Sequence, residues 1–566
     1  MSENDKWVWF TDDDPIEGLI GRRRKGAGLD PSPVALDELR PETPKRAGAE
    51  GLVAAIQLHL AGQTDAALAR LDEAAAAGED PAEVFSAKGN LLFSQGKYEE
   101  AAASYAKVLE TDPGHRTAHY NRGVCLERAG DFTAAAWSFR KALETDPERR
   151  EARLGLGLSL LHTGEAPEAL AAFDAYLEKL EKGADRLGQL GRAVALHLVG
   201  RLDEAAALYE SLLADKPDDE EVLGNLLALR MAGQDGEAIA AAAARLLAVR
   251  PDAQAALEAL ASVALRAGDW EAAVRHCTRL TELDETNFVA WFNLGVASAQ
   301  TGRHDQAAAA YRKAAELRPD SAKAHANLGV LAQEAGDLAA AQKAYQRALA
   351  LAPDLLGPQW NLALVHERKG EYEAAEEAYQ RLVDAHPQWE DAWFRLGYLR
   401  LQRLEYAGAQ TAFAQCVARR PEWADAHLNL GIAAWKQGDK EISRQHFEKA
   451  LASDPSLVDA VRALAALAIE QNDAERAFDL HVRLIEMGER SAELFYNTGL
   501  LLHRAGKLDE AAARYRQALS ERPGFAEALL NLGHVLHGLG QEAEARACWK
   551  QAAEANPDLA AQYFSS

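Results

Sequence analysis

Three histidines near the end of the chain are the first residues whose type and spacing suggest chemistry. His534 and His537 lie three apart and so share a helix face, and His503 stands 34 residues before His537. Three imidazoles near one line suit zinc in principle, but no carboxylate or thiol stands at matching places, so the spacing reads as structural and no metal is expected. The run GLGLSLL at 155–161 contains a G-x-G, yet it lacks the third glycine and follows no strand, which removes a dinucleotide loop. P-loop, G-x-S-x-G, H-E-x-x-H and EF-hand patterns are missing from the sequence. Four scattered cysteines, Cys125, Cys277, Cys416 and Cys548, make neither a disulfide framework nor a zinc cluster. The chain therefore reads as a non-enzyme with no catalytic residue and no cofactor.

A second set of residues carries binding chemistry. Asn293, Asn327, Asn361, Asn429, Asn497 and Asn531 recur at 34 residues or a multiple of it, with Arg395 at the matching place between Asn361 and Asn429. Asn121 and Asn225 fall in the same series. An amide offers a donor and an acceptor, and burying it without partners is costly. Repeated once per unit, it suits the N–H and C=O groups of an extended peptide, and Arg395 suits a ligand carboxylate. Trp360, Tyr398 and Trp435 lie near the same track and are candidate anchors, since large rings dominate protein recognition. Phe292, Phe394 and Tyr496 share the track, the two phenylalanines reading as core. The competing reading is that the asparagines bond within or between helices of the protein.

The elements that would position these residues follow from the period. Prolines fall at 113 and 147, then at 217, 251, 319, 353, 387, 421, 455, 523 and 557, at 34 or its multiples within each series. Counting back gives fifteen units, starting at 48, 82, 116, 150, 186, 220, 254, 288, 322, 356, 390, 424, 458, 492 and 526, the unit at 150 carrying two extra residues. Such self-similarity marks a solenoid. Each unit holds two apolar patterns at helical spacing, as in Trp291, Leu294, Val296 and then Ala307, Tyr311, Ala314, with a glycine-bearing reversal between them. The eighth place is glycine or alanine in every unit but one, where Leu227 stands, and the twentieth is alanine except at Ile239 and Ser443. Small residues there let two helices approach closely; a larger one would overpack the crossing by about 1–3 kcal/mol. The units at 220, 254 and 458 fit the pattern least; they are expected to pack well enough all the same, with flexible joints as the alternative.

These places, with aromatics such as Tyr105, Phe139, Tyr311, Tyr345 and Phe413 in the second helix and Trp291 and Trp393 near the start of the first, resemble the tetratricopeptide repeat. The resemblance covers about 48–559 and implies an all-α, α-α superhelical solenoid of about fifteen repeats, with an inner groove lined mostly by first helices. His119, His325 and His427 fill the Trp291 place and read as packing substitutes. The array also resembles the repeat region of the O-linked N-acetylglucosamine transferases, whose asparagine ladder the series above is similar to, but no catalytic domain follows. The carboxylate clamp of chaperone-binding members maps onto Ser86, Asn90, Asn121, Glu151 and Gly155, where only the asparagines agree. A chaperone C-terminus is therefore not the expected ligand.

Outside the repeats lie an irregular tail at 1–47 and a short tail at 560–566. The first holds Trp7, Trp9 and Phe10, followed by acidic and then basic runs, and is expected to dock on the solenoid, with a disordered leader or a motif for another protein as alternatives. The net charge of −25 on 566 residues disfavours nucleic acid. No signal peptide or membrane span is read, so a cytoplasmic protein is expected. The function expected is a protein-interaction scaffold or adaptor binding an extended peptide or protein segment in its groove. The alternatives are a self-assembling protein, with Trp549, Tyr563 and Phe564 offered at the end, and an accessory subunit presenting substrates to a separate enzyme such as a glycosyltransferase.

Overall fold

The computed structural model describes residues 50–178, 180, 185–233 and 235–557. Trp7, Trp9, Phe10, Tyr563 and Phe564 lie outside them. The described residues form thirty α-helices and no strand, from Glu50–Leu60 to Glu542–Ala555. They fall into two compact units, divided between Pro319 and Asp320. Eight helix pairs lie before the division and seven after it. Within each unit a helix packs on its neighbours in sequence, and the first helix of a pair often also touches the first helix of the next.

Local chemistry sets the element bounds. Several helices open on a side chain that accepts an N-terminal amide, among them Asp131, Asn287, Ser321, Asp337 and Ser491; a cap of this kind contributes about 1 kcal/mol. Within the pair Phe288–Gln300 and His304–Leu317, Gly302 takes φ 72° and the Arg303 amide returns to the Ser298 carbonyl at 2.8 Å. That left-handed residue closes the first helix and reverses the chain. Asn472 does the same work at φ 55°, and Leu404 is forced to φ 63° in a place that most repeats give to glycine.

The core carries a row of rings, one in each of most repeats. Tyr209, Tyr311, Tyr345, Tyr379, Tyr515, Phe139, Phe173, Phe413 and Phe447 are all fully buried. Eighth-place glycines lie directly under them: a Cβ on Gly295 would sit 2.6 Å from Tyr311 Cδ1, and one on Gly329 would sit 2.7 Å from Tyr345 Cδ1. The expected close approach is thus helix backbone against ring. Near 220 the drifted repeat still packs closely. Ile239 and Ala243 are buried in one cluster with Tyr209, Leu223, Leu226 and Leu227, leucines filling the volume that the missing ring leaves.

Candidate functional site

Three sixth-place residues, Asn121, Asn361 and Arg395, are tied to the tyrosine of the repeat before them. In the second unit, Tyr345 donates its hydroxyl to Gln333 Oε1 at 2.9 Å, and the amide of Asn361 lies within electrostatic reach of the same hydroxyl without completing a well-aligned hydrogen bond. Tyr379 donates to Glu367 Oε2 at 2.9 Å, while Glu367 Oε1 holds Arg395 Nη1 at 3.2 Å. In the first unit Tyr105 donates to Asn90 Oδ1, and the amide of Asn121 lies within electrostatic reach of that hydroxyl. Burial pushes the Tyr105 and Tyr345 phenols far up, so both act only as neutral hydroxyls. The two asparagines that fit the chaperone clamp thus serve a core tyrosine.

The sequence carries a signal for this coupling. Tyr105, Tyr209, Tyr345, Tyr379 and Tyr515 are each followed sixteen residues later by a polar side chain, Asn121, Asn225, Asn361, Arg395 and Asn531. Phe139 is followed by Gly155 and Phe447 by Ala463. The reason is steric as well as polar: a Cβ on Gly155 would sit 2.6 Å from Phe139 Cζ. A buried tyrosine is thus followed by a polar sixth-place residue in the next repeat, whereas a phenylalanine is followed by glycine, by alanine or, after Phe413, by asparagine.

This corrects several expected contacts. Asn327 and Asn361 are 0% exposed and do not face a ligand. Arg395 is engaged by Glu367 rather than held ready for an incoming carboxylate. Trp360 stacks on Trp389 with centroids 4.8 Å apart and meets Tyr379 edge-on at 5.5 Å, so it is a packing ring between repeats and not an exposed anchor. Phe394 on Trp423 at 4.6 Å and Tyr496 on Phe525 at 4.9 Å repeat that seam. Trp435 is half-buried, edge-on to Phe447, and donates its indole N–H to Glu470 at 3.1 Å.

Other members of the series follow a residue that is not tyrosine: Asn293 comes after Cys277, Asn429 after Phe413 and Asn497 after His481. All three are partly exposed. Asn429 donates Nδ2 to the Asp425 carbonyl of its own helix at 2.8 Å, which orients the amide without using its carbonyl oxygen. Asn531 is likewise part-exposed and donates to Glu527 O at 2.9 Å and to Tyr496 at 3.2 Å. Tyr398, at 39% exposed, is the most open ring of the expected set.

The fourth place has a shared duty as well. Trp291 and Trp393 donate their indole N–H to the carbonyls of Glu285 and Pro387 at 3.0 and 2.9 Å, and His119 and His427 reach those of Pro113 and Pro421 at 3.1 and 2.9 Å. At these four positions a ring N–H pins the preceding turn. At the chain end His534 and His537 flank Trp549 at 5.5 and 5.8 Å, and His537 pairs with Glu542 at 2.6 Å. Trp549 thus packs inside its own repeat, over Gly533, rather than standing out as a ring for a second copy. No helix among the described residues is long and apolar enough to cross a membrane.

Fold and seam together define an α-helical repeat solenoid, and the family follows from comparison. Tetratricopeptide repeat profiles match 61–114, 86–143, 128–186, 326–388, 394–457, 432–492 and 462–524, and related profiles match 187–211, 256–287, 297–336 and 502–565. The chain belongs to the tetratricopeptide repeat family, and is a protein-interaction scaffold in the general sense that the family implies. Among solved structures it is similar to YrrB, described as a tetratricopeptide repeat protein with an unusual peptide-binding site, at 21% identity over 33% of this chain and 96% of that one, TM-score 0.31. A tetratricopeptide repeat protein of Parabacteroides merdae matches at 19% identity over 44% and 98%, TM-score 0.31. The Naa15/Naa10 complex bound to HypK-THB matches at 16% identity over 90% and 94%, TM-score 0.33. Comparison with curated proteins returned no match.

Proposed function

We propose that the chain is a non-enzymatic scaffold that grips an extended protein segment along the first-helix face of its second unit. The observation that carries this reading is Asn429: part-exposed, not coupled to a tyrosine, and held by its own helix with its carbonyl oxygen left as an acceptor. Asn497 and Asn531 recur at the same place, and Tyr398 supplies an exposed ring on a neighbouring repeat. Oriented acceptors at repeat spacing suit the N–H groups of an extended backbone. Acidic residues recur four places earlier on the same face, at Asp391, Asp425, Asp459, Glu493 and Glu527. Arg462 and Arg522 offset Asp459 and Glu493 in part. With a net charge of −25, this favours a basic segment over an acidic one.

The test is selection from a displayed library of random peptides on the immobilised full chain. Basic, extended sequences should be enriched, and Asn429→Ala combined with Asn497→Ala should weaken them roughly tenfold while leaving the melting temperature in place. Enrichment that ignores both substitutions, or a melting drop with unchanged affinity, would overturn the reading.

A further inference from the structure

The seventh place of the repeat is leucine in ten units, but Lys88, Arg122 and Arg192 stand there in three of the first five. Two of these cations are neutralised by the twenty-fifth residue of the preceding repeat. Lys88 pairs with Asp72, and Arg192 pairs with Asp174 at 2.6 Å. For Arg122 the corresponding residue is Ala106, so the carboxylate is missing. Among the described residues the Arg122 guanidinium bonds only the Ser138 hydroxyl, at 3.0 Å, and lies 5.4 Å over the ring of Trp137. Asp131 acts on it only at longer range.

Where the missing carboxylate would lie, a cleft of about 530 Å³ opens, with Ala106, His119, Arg122 and Trp137 in its wall. Its elements are the helices Tyr98–Thr111, Ala118–Ala129 and Phe132–Thr145, two second helices and the first helix between them, away from the sixth-place track. Trp137 is 48% exposed, unusual for an indole. His119 is only 7% exposed and gives its Nε2 proton to the Pro113 carbonyl, yet its buried Nδ1 has no partner. In the repeat at 424 the equivalent His427 has its Nδ1 satisfied by His446 at 2.9 Å. The lining also contains Lys141, already paired with Glu144 at 2.7 Å, and an exposed Glu110.

We propose that this cleft binds an aspartate side chain presented by a partner peptide, in a partner site separate from the first-helix face. The carboxylate takes the position that Asp72 and Asp174 hold elsewhere and bonds the Arg122 guanidinium. An apolar neighbour of the aspartate covers the exposed Trp137 ring. With Glu110 on the rim and the Lys141 charge already matched, the site suits a single carboxylate among apolar residues rather than an acidic run.

The probe is a fluorescein-labelled pentapeptide, blocked at its C-terminus as an amide, with aspartate between two leucines. Controls carry asparagine instead, or asparagine with a free C-terminal carboxylate. The intact chain should bind the aspartate peptide roughly tenfold tighter than the asparagine amide. Arg122→Leu, the residue of ten other repeats, should remove that preference without lowering the melting temperature. Ala106→Asp should also remove it, by supplying the internal carboxylate that two neighbouring joints already use, and so separates loss of binding from loss of fold. Equal binding of aspartate and asparagine peptides, or a preference that survives Ala106→Asp, overturns the proposal. Tighter binding of the free C-terminus overturns the side-chain assignment.

Discussion

At the scale of single residues, the sixth place has one identity and two duties. Asn361 is buried against Tyr345, whereas Asn429 is part-exposed and tied to its own backbone. A one-residue view of the sequence assigns both to a ligand, because the deciding fact is the ring sixteen residues earlier: tyrosine in one case, phenylalanine in the other. The coupling is testable in a double-mutant cycle. Tyr345→Phe removes the donor that satisfies buried Gln333 and should cost about 1–3 kcal/mol. Tyr345→Phe with Asn361→Ala reproduces the natural Phe447 and Ala463 pair and should be milder than the sum of the two single changes by about 0.5 kcal/mol or more. Denaturant melts measure all four proteins, and strict additivity would show that the two places are independent.

At the scale of the element, the helix pair was legible from periodicity, and its joints were not. The eighth-place glycines and the proline spacing are local signals, and they mark helices and turns that the structure contains. The seams depend on partners in adjacent repeats: Trp360 reads as a free anchor until Trp389, 29 residues later, is seen to stack on it. The same holds for His427, whose place in the repeat announces packing but whose second nitrogen meets His446 of the facing helix. His427 Nε2–H donates to Pro421, so its Nδ1 accepts the Nδ1 proton of His446, and the pair is neutral. Burial, then His427 and Lys449, lower the His446 pKa to about 4, and burial lowers that of His427. Unfolded histidine titrates near 6.5. Between about pH 6.5 and 4 the unfolded chain therefore binds more protons than the folded one, and stability falls as acid is added. His446→Gln keeps a donor for His427 and should flatten the melting temperature across that window. An unchanged slope would place the titration elsewhere.

At the scale of the whole molecule, stability in a repeat array is a sum of repeat terms and nearest-neighbour terms, so a block of repeats with its own core is expected to stand without the remainder. The second unit meets that condition. Tyr345 packs with Val330 and Val365, Tyr379 with Leu382 and Leu396, Phe413 with Leu430, Phe447 with Leu464, and Tyr515 with Leu532 and Leu536, each cluster drawn wholly from residues after Asp320. Charge weighs the other way, because a strongly acidic chain repels itself, but ion pairs such as Arg400 with Glu376 at 2.9 Å and Arg403 with the same carboxylate at 2.7 Å bind adjacent repeats. Pairs this shielded contribute more than fully exposed ones, although a surface pair is worth at most about 1 kcal/mol. Residues 320–566 produced alone should therefore show the helical signal per residue of the intact chain and a cooperative melt, and added salt should move that melt little. A fragment that is unfolded by circular dichroism, or that melts without cooperativity, would show that the seven pairs cannot hold their cores by nearest-neighbour packing alone.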